Sequence, residues 1–224
     1  MGNMFLGFPV PRAKIAEMIE GYAAPRFPYE NTIFHTLFES LDGYSKATSG
    51  GGSLTNHPNY VTFIIYGTNG DHAQLTKYPE YPHLANTWDK PRSMKARLHI
   101  DLTAGVTGTI LLAPGNFPTE NAIGFLIYNG SFGVISCAAG DYEAYEIADW
   151  TTPAEHDVLL AWDYEPPAYP KFYVDGELVY TATTRKPTGT DYADWWLNLL
   201  LANQAPGDAI TVHISEYMFH QKDA

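Results

Sequence analysis

From Thr32 onward the chain is cut into short runs rich in Val, Ile, Thr, Tyr and Phe, each stopped within a few residues by Gly, Pro, Asn or Asp. Runs this short are poor helices but adequate strands, and β-branched and aromatic side chains fit a pleated, half-buried surface. The clearest runs cover residues 60–66, 93–102, 107–112, 123–128, 133–138, 142–147, 157–163, 171–174, 177–182, 195–201 and 210–220. So many strands with no helical pattern between them predict an all-β sandwich of two antiparallel sheets. Asn129-Gly130 and Asp175-Gly176 each stand between two apolar runs. Both are expected to form two-residue hairpins, whose positive φ angles these residues tolerate. The connections at 49–53, 77–91 and 113–121 carry Gly or Pro and are expected on the surface.

One stretch ahead of these strands reads as a helix. Across residues 11–24, Ile15, Met18, Ile19 and Tyr22 recur at i, i+3, i+4 and i+7, and Gly21 and Pro25 supply the stop. The chain therefore divides into an arm, residues 1–30, and a β domain, residues 31–224. The apolar stripe of the arm either packs on its own domain or docks on a neighbouring subunit as an assembly device.

Charge narrows the partners. With 25 acidic against 13 basic side chains the net charge is −12, and the basic residues are scattered, so the field opposes a phosphate backbone and nucleic acid is not an expected partner. No apolar run approaches the ~18 residues of a membrane span, so insertion is not expected. Cys137 is the only cysteine, which leaves no intrachain disulfide and reads as a core residue. Residues 1–10 are apolar but carry no preceding basic residue and are cut by Pro9 and by Pro11 just beyond, which is not a secretory pattern.

The segment His156-Asp-Val-Leu-Leu-Ala-Trp-Asp163, followed by Lys171-Phe-Tyr-Val-Asp-Gly-Glu-Leu-Val179, resembles the concanavalin A-like lectin/glucanase superfamily, laminin-G-like jelly rolls included. There a strand ending in Trp is followed by a loop and an aromatic strand turning on Asp-Gly. Ser93-Met-Lys-Ala-Arg-Leu-His-Ile100, Trp195-Trp-Leu-Asn-Leu-Leu-Leu201 and the run 214–220 follow in the family's order, and the likeness spans about residues 34–221. The resemblance implies a concanavalin A-like jelly-roll β-sandwich. It does not by itself imply an activity.

The family's laminarinase-like hydrolases place a Glu-x-Asp-x-x-Glu array on one concave strand. By order along the chain that strand is Asn121-Ala-Ile-Gly-Phe-Leu-Ile127, which has no carboxylate. Asp141-Tyr-Glu-Ala-Tyr-Glu146 sets Asp141 and Glu143 on one strand face, but such a charged strand reads first as a solvated sheet edge. Family polysaccharide lyases use His, Tyr and Arg on the concave sheet, a set that Arg97, His99 and Tyr128 would imitate. The eight histidines show no metal-ligand spacing, and no metal or cofactor is expected; Asp42, Asp71 and Asp208 are loop carboxylates of the kind with which relatives hold calcium, but no spacing specifies a site.

The chain has 16 Tyr and 5 Trp, which suits sugar binding because the C–H face of a sugar ring stacks on a flat side chain. Trp195 and Trp196 are adjacent and point to opposite faces of a strand, while Tyr78 and Tyr81 lie in a long loop suited to contacts. The glycan- or partner-binding residues expected are therefore Trp195, Trp196, Tyr128, His99, Arg97, Tyr78 and Tyr81. The expected function is a non-catalytic, lectin-like binding and assembly module that forms homo-oligomers and contacts a glycan or a protein surface. Modules with this Trp, aromatic-strand and Asp-Gly pattern also occur in phage structural proteins, so the expected setting is a virus particle, as decoration, fibre or tail. The alternative is a lyase or glycoside hydrolase on the same fold.

Overall fold

The computed structural model describes residues 4–5, 8–9, 32–66, 70–77, 88, 91–101, 108–112, 121–128, 131–147, 154–162, 169–189, 197–203 and 210–221. The helix expected over 11–24, with Ile15, Met18, Ile19 and Tyr22, lies outside the described residues, as do Tyr78, Tyr81, Trp195, Trp196 and Asp208. Of Tyr128 only the backbone is described.

The described residues form a jelly-roll β-sandwich. Near the N-terminus β1 (Met4–Phe5) pairs with β2 (Phe8–Pro9). The first large sheet runs β12 (Asp141–Glu146), β11 (Ser131–Ala138), β10 (Ala122–Tyr128), β9 (Gly108–Leu112), β16 (Leu197–Asn203), β7 (His72–Lys77), β4 (Ser45–Ser49). The second runs β15 (Glu177–Thr181), β14 (Lys171–Val174), β13 (Ala154–Trp162), β8 (Arg92–Asp101), β17 (Ile210–Gln221), β6 (Tyr60–Ile65), β5 (Ser53–His57), with β3 (Thr32–Thr36) beside β17 as its eighth strand. Every pairing is antiparallel.

Alternation builds the core. Ile123, Phe125 and Ile127 of β10, Phe132 and Val134 of β11 and Leu197, Leu199 and Leu201 of β16 meet Met94, Ala96, Leu98 and Ile100 of β8 and Val158 and Leu160 of β13 in one buried cluster. Each is every second residue of its strand, the period that sends side chains to one face. Asp175 and Gly176 adopt φ of 50° and 86°, the left-handed pair a two-residue hairpin requires. Ala139 and Gly140 make a second such turn, with φ of 51° and 82°, although alanine is a poor residue for it. Asn121 helps to hold it there, its Oδ1 accepting the Ala139 N–H at 3.1 Å while its amide donates to the Thr188 carbonyl at 3.0 Å.

Strand β17 changes parity midway. Val212 and Ile214 face the core, and so do Tyr217 and Phe219, which strict alternation forbids. The ladder to β8 pairs Ile214 with Leu98 and then Glu216 with Arg97, leaving Ser215 as a bulge. One extra residue switches the face that the odd positions present. The bulge also marks where β17 changes neighbours, from β6 over Ile210 to Ile214 to β3 over Tyr217 to His220.

Candidate functional site on the outer face of the eight-stranded sheet

The outward side of the eight-stranded sheet is polar and aromatic. Register alone places Thr62 beside His213, His213 beside His99, and His99 beside Glu155, a straight row across β6, β17, β8 and β13. The two imidazole rings lie 5.7 Å apart between centroids, and Thr62 Oγ1 is 2.8 Å from His213 Nδ1. The hairpin between β5 and β6 adds two rings. Its turn, with Asn59 at φ 72°, folds His57 flat onto Tyr60 at 4.4 Å, and Tyr60 meets His213 edge-on at 5.6 Å. The bulge residue Ser215 joins Tyr60, His99, His213 and Glu155 in lining a shallow concavity of about 250 Å³. All four rings of the strip are partly exposed.

An ion network flanks this strip. Arg97 Nε donates to Asp157 Oδ1 at 2.9 Å and lies 3.7 Å from Glu155. Lys95 lies 3.8 Å from Asp157 and 3.9 Å from Glu216, which also meets His35 at 3.2 Å. Burial alone would raise the Asp157 carboxyl, but the Arg97 hydrogen bond and the Lys95 charge outweigh it and hold it below the ordinary range. A depressed folded value means that the stabilisation is present above the unfolded carboxyl value of about 3.9 and is lost as pH falls through the folded value. Because both partners are well exposed, an Arg97→Met variant is expected to lose under about 1 kcal/mol near neutral pH. Urea unfolding should show variant and parent converging in stability as the pH falls below the ordinary carboxylate range. A gap that persists there would mean that the pair is not its source.

The outward side of the other sheet differs in kind. Ala122 and Leu126 of β10 and Ile135 and Cys137 of β11 form a second buried apolar cluster, joined by Leu200. Glu120 stands just ahead of β10, and the alternate positions Ala122 and Gly124, where a hydrolase of the resembled family would carry its array, offer no acid or base. Burial pushes the Cys137 thiol up, which keeps it protonated and unreactive.

Strand β12 is the solvated sheet edge that its charges predicted. Its carboxylates are engaged: Asp141 with Arg185 at 2.7 Å, Glu143 with the Thr184 hydroxyl, and Glu146 with the Ser131 hydroxyl at 2.8 Å. Burial and the neighbouring Glu143 raise the hydroxyl of Tyr180, which stacks on Tyr145 at 4.6 Å.

Arg97 and His99, expected from sequence, both lie on the polar face. Tyr128 does not join them, because β10 belongs to the other sheet while Arg97 and His99 point away from that sheet. The lyase-like set therefore does not assemble. Asp71 is 1% exposed, and its two oxygens accept the N–H groups of Gly51 at 2.7 Å and Tyr66 at 3.2 Å, whereas Asp42 is exposed in a loop. His57, Tyr60, His213, Glu155 and Ser215 were not legible as a site, since only strand register brings them together.

No family model matches the chain, and no curated protein matches it. Solved structures do. One is of a botulinum neurotoxin type C whose cell entry depends on interaction with two ganglioside molecules, at 13% identity and a TM-score of 0.54 over 81% of this chain and 44% of that one. A glycosyl hydrolase family protein from Mycobacterium fortuitum matches at 10% identity and a TM-score of 0.58, over 85% of this chain and 100% of its own. A protein of unknown function from Shewanella oneidensis MR-1 matches at 11% and 0.58, over 96% of both chains. At these identities the likeness shows the fold, and this chain spans less than half of the neurotoxin's length.

Proposed function

We propose that this chain is a non-catalytic lectin-like module of the concanavalin A-like kind, which holds a glycan on the outer face of its eight-stranded sheet. Tyr60, His57, His213 and His99 would offer ring surface to the sugar C–H faces, and Glu155 and Ser215 would hydrogen-bond its hydroxyls. The observation behind this choice is the contrast between the centres of the two outward faces: one a strip of partly exposed rings lined by hydrogen-bonding groups, the other, over β10 and β11, apolar and buried. Sugar recognition needs the first kind of surface. A non-catalytic role is favoured because the strand expected to bear the hydrolase array carries alanine, glycine and leucine, and the acidic strand β12 has its carboxylates tied to neighbours. The ganglioside-dependent neurotoxin supports glycan binding at the level of a shared fold.

The wider setting proposed is a virus particle or similar assembly, in which the amphipathic stripe of residues 11–24 joins subunits. It rests on that periodicity and on the likeness of the 156–179 segment to phage structural modules.

Screening the full chain on a glycan array, followed by saturation-transfer NMR on any hit, tests the binding half. Tyr60→Ala is expected to weaken binding about tenfold, equivalent to roughly 1.4 kcal/mol. An array without hits, or a hit indifferent to Tyr60→Ala and His213→Ala, overturns the assignment. Light scattering on the same preparation tests the assembly half, and a monomer of 24.9 kDa sinks it.

A further inference from the structure

We propose that His99 and His213 form a chelating pair for a divalent transition cation of the Zn²⁺ or Cu²⁺ type, with Glu155 recruited as a third ligand and water completing the shell. The site does not depend on glycan binding, although it occupies the same face.

The geometry is that of a cross-strand chelate. His99 and His213 are direct partners on adjacent antiparallel strands and are both partly exposed, with ring centroids 5.7 Å apart. A cation held by two imidazole nitrogens at about 2.0–2.1 Å in tetrahedral geometry sets the ring centroids roughly 5 Å apart, close to the 5.7 Å between these rings, and χ rotation would turn the nitrogens onto it. The backbone ladder fixes the spacing of the pair before any metal arrives, so little ordering is left to do. Thr62 Oγ1 holds His213 through Nδ1 at 2.8 Å, the kind of orienting contact that metal-ligating histidines carry, and coordination then falls to Nε2.

Among the described residues no three His, Cys, Asp or Glu side chains already stand as a metal cluster. The two histidines therefore define the site, and Glu155, opposite His99 in the ladder, must leave its 3.7 Å contact with Arg97 to join them. Imidazole donors select zinc and copper over calcium and magnesium, which prefer all-oxygen shells. Nothing in local sequence spacing announces the site, because the two ligands stand on strands far apart in the chain.

The test is titration of the metal-free full chain with Cu²⁺ alone, followed by calorimetry and by electron paramagnetic resonance near neutral pH. One equivalent should bind with hyperfine coupling from imidazole nitrogen, and binding should weaken on acidification, because the ligating nitrogens must be deprotonated. His99→Ala and His213→Ala should each weaken binding about tenfold or more. The double variant should lose it, while His72→Ala, on the other sheet, should leave it unchanged, with circular dichroism confirming that each variant is folded. A double variant that binds Cu²⁺ as tightly as the parent, or a spectrum without imidazole nitrogen coupling, overturns the proposal. Either result leaves the glycan assignment standing, since that is read without metal.

Discussion

Phe125→Ala is expected to lower stability by about 3–5 kcal/mol, a large share of the roughly 5–15 kcal/mol by which a domain is stable. Phe125 is fully buried, stacked on Phe132 at 5.7 Å and edge-on to Phe172 at 5.6 Å. Phe125 and Phe132 rise from the seven-stranded sheet, whereas Phe172 comes from the eight-stranded one, so the trio joins the two sheets through their rings. Truncation at the centre opens a void that neighbours on rigid ladders cannot fill, which adds a cavity cost to the lost burial. For a chain of this size the midpoint of thermal unfolding should fall by roughly 6–20 °C. Calorimetry on Phe125→Ala beside Tyr142→Ala, whose ring is 54% exposed, provides the comparison. Equal midpoints for the two variants would show that the sheets are not held together at this trio.

Asp71→Ala carries the second large effect, about 2–4 kcal/mol, from the loss of two charge-assisted hydrogen bonds at once. The carboxylate ties the Gly51 N–H, in the turn between β4 and β5, to the Tyr66 N–H at the end of β6. The turn is packed so closely that a Cβ at Gly52 would stand 2.0 Å from the His72 carbonyl oxygen, and one at Gly50 would stand 2.3 Å from Asp71 Oδ1. Gly50 also adopts φ of 59°, where other side chains are strained. Hydrogen exchange should show the Gly51 and Tyr66 amides losing protection in Asp71→Ala, with Asp71→Asn, which keeps one acceptor, in between. Unchanged protection would mean that the turn is held by other contacts.

The strands that fill the core were legible because burial on one face imposes the alternation that sequence displays. The run 123–128 became Ala122–Tyr128, and 210–220 became Ile210–Gln221. Strand β4, Ser-Lys-Ala-Thr-Ser, is exposed along its length and has no apolar face to print a pattern, and β5, Ser-Leu-Thr-Asn-His, turns only Leu54 toward the core, so neither edge strand is legible in the sequence. Strand β7 escaped for a related reason: its buried positions include the small Ala73 beside the polar Thr76 and Lys77. The site was half legible. Arg97 and His99 announced themselves by type, but His213 and Tyr60 join them only through register, and sheet membership separates Tyr128 from both. The bulge itself leaves a trace in the sequence. Apolar residues at 210, 212 and 214 give way to Tyr217 and Phe219, and such a shift of parity within one strand marks a bulge and with it an extra outward residue.

The position of β17 has a consequence for synthesis. It lies in the interior of its sheet, between β8 and the pair β6 and β3, yet residues 210–221 leave the ribosome after every other strand of that sheet. Until they emerge, the other strands of that sheet can form at most two separate ribbons, β13–β15 with β8 and β5 with β6, each with a bare hydrogen-bonding edge and an uncovered apolar row, while β3 waits for β17 to pair with. Closure is a long-range event that must wait for translation of the seam, and such topologies fold slowly. A growing chain of this kind is most vulnerable to aggregation in the interval before residue 210 is added, and a message truncated there would yield sticky half-sheets rather than a smaller working domain.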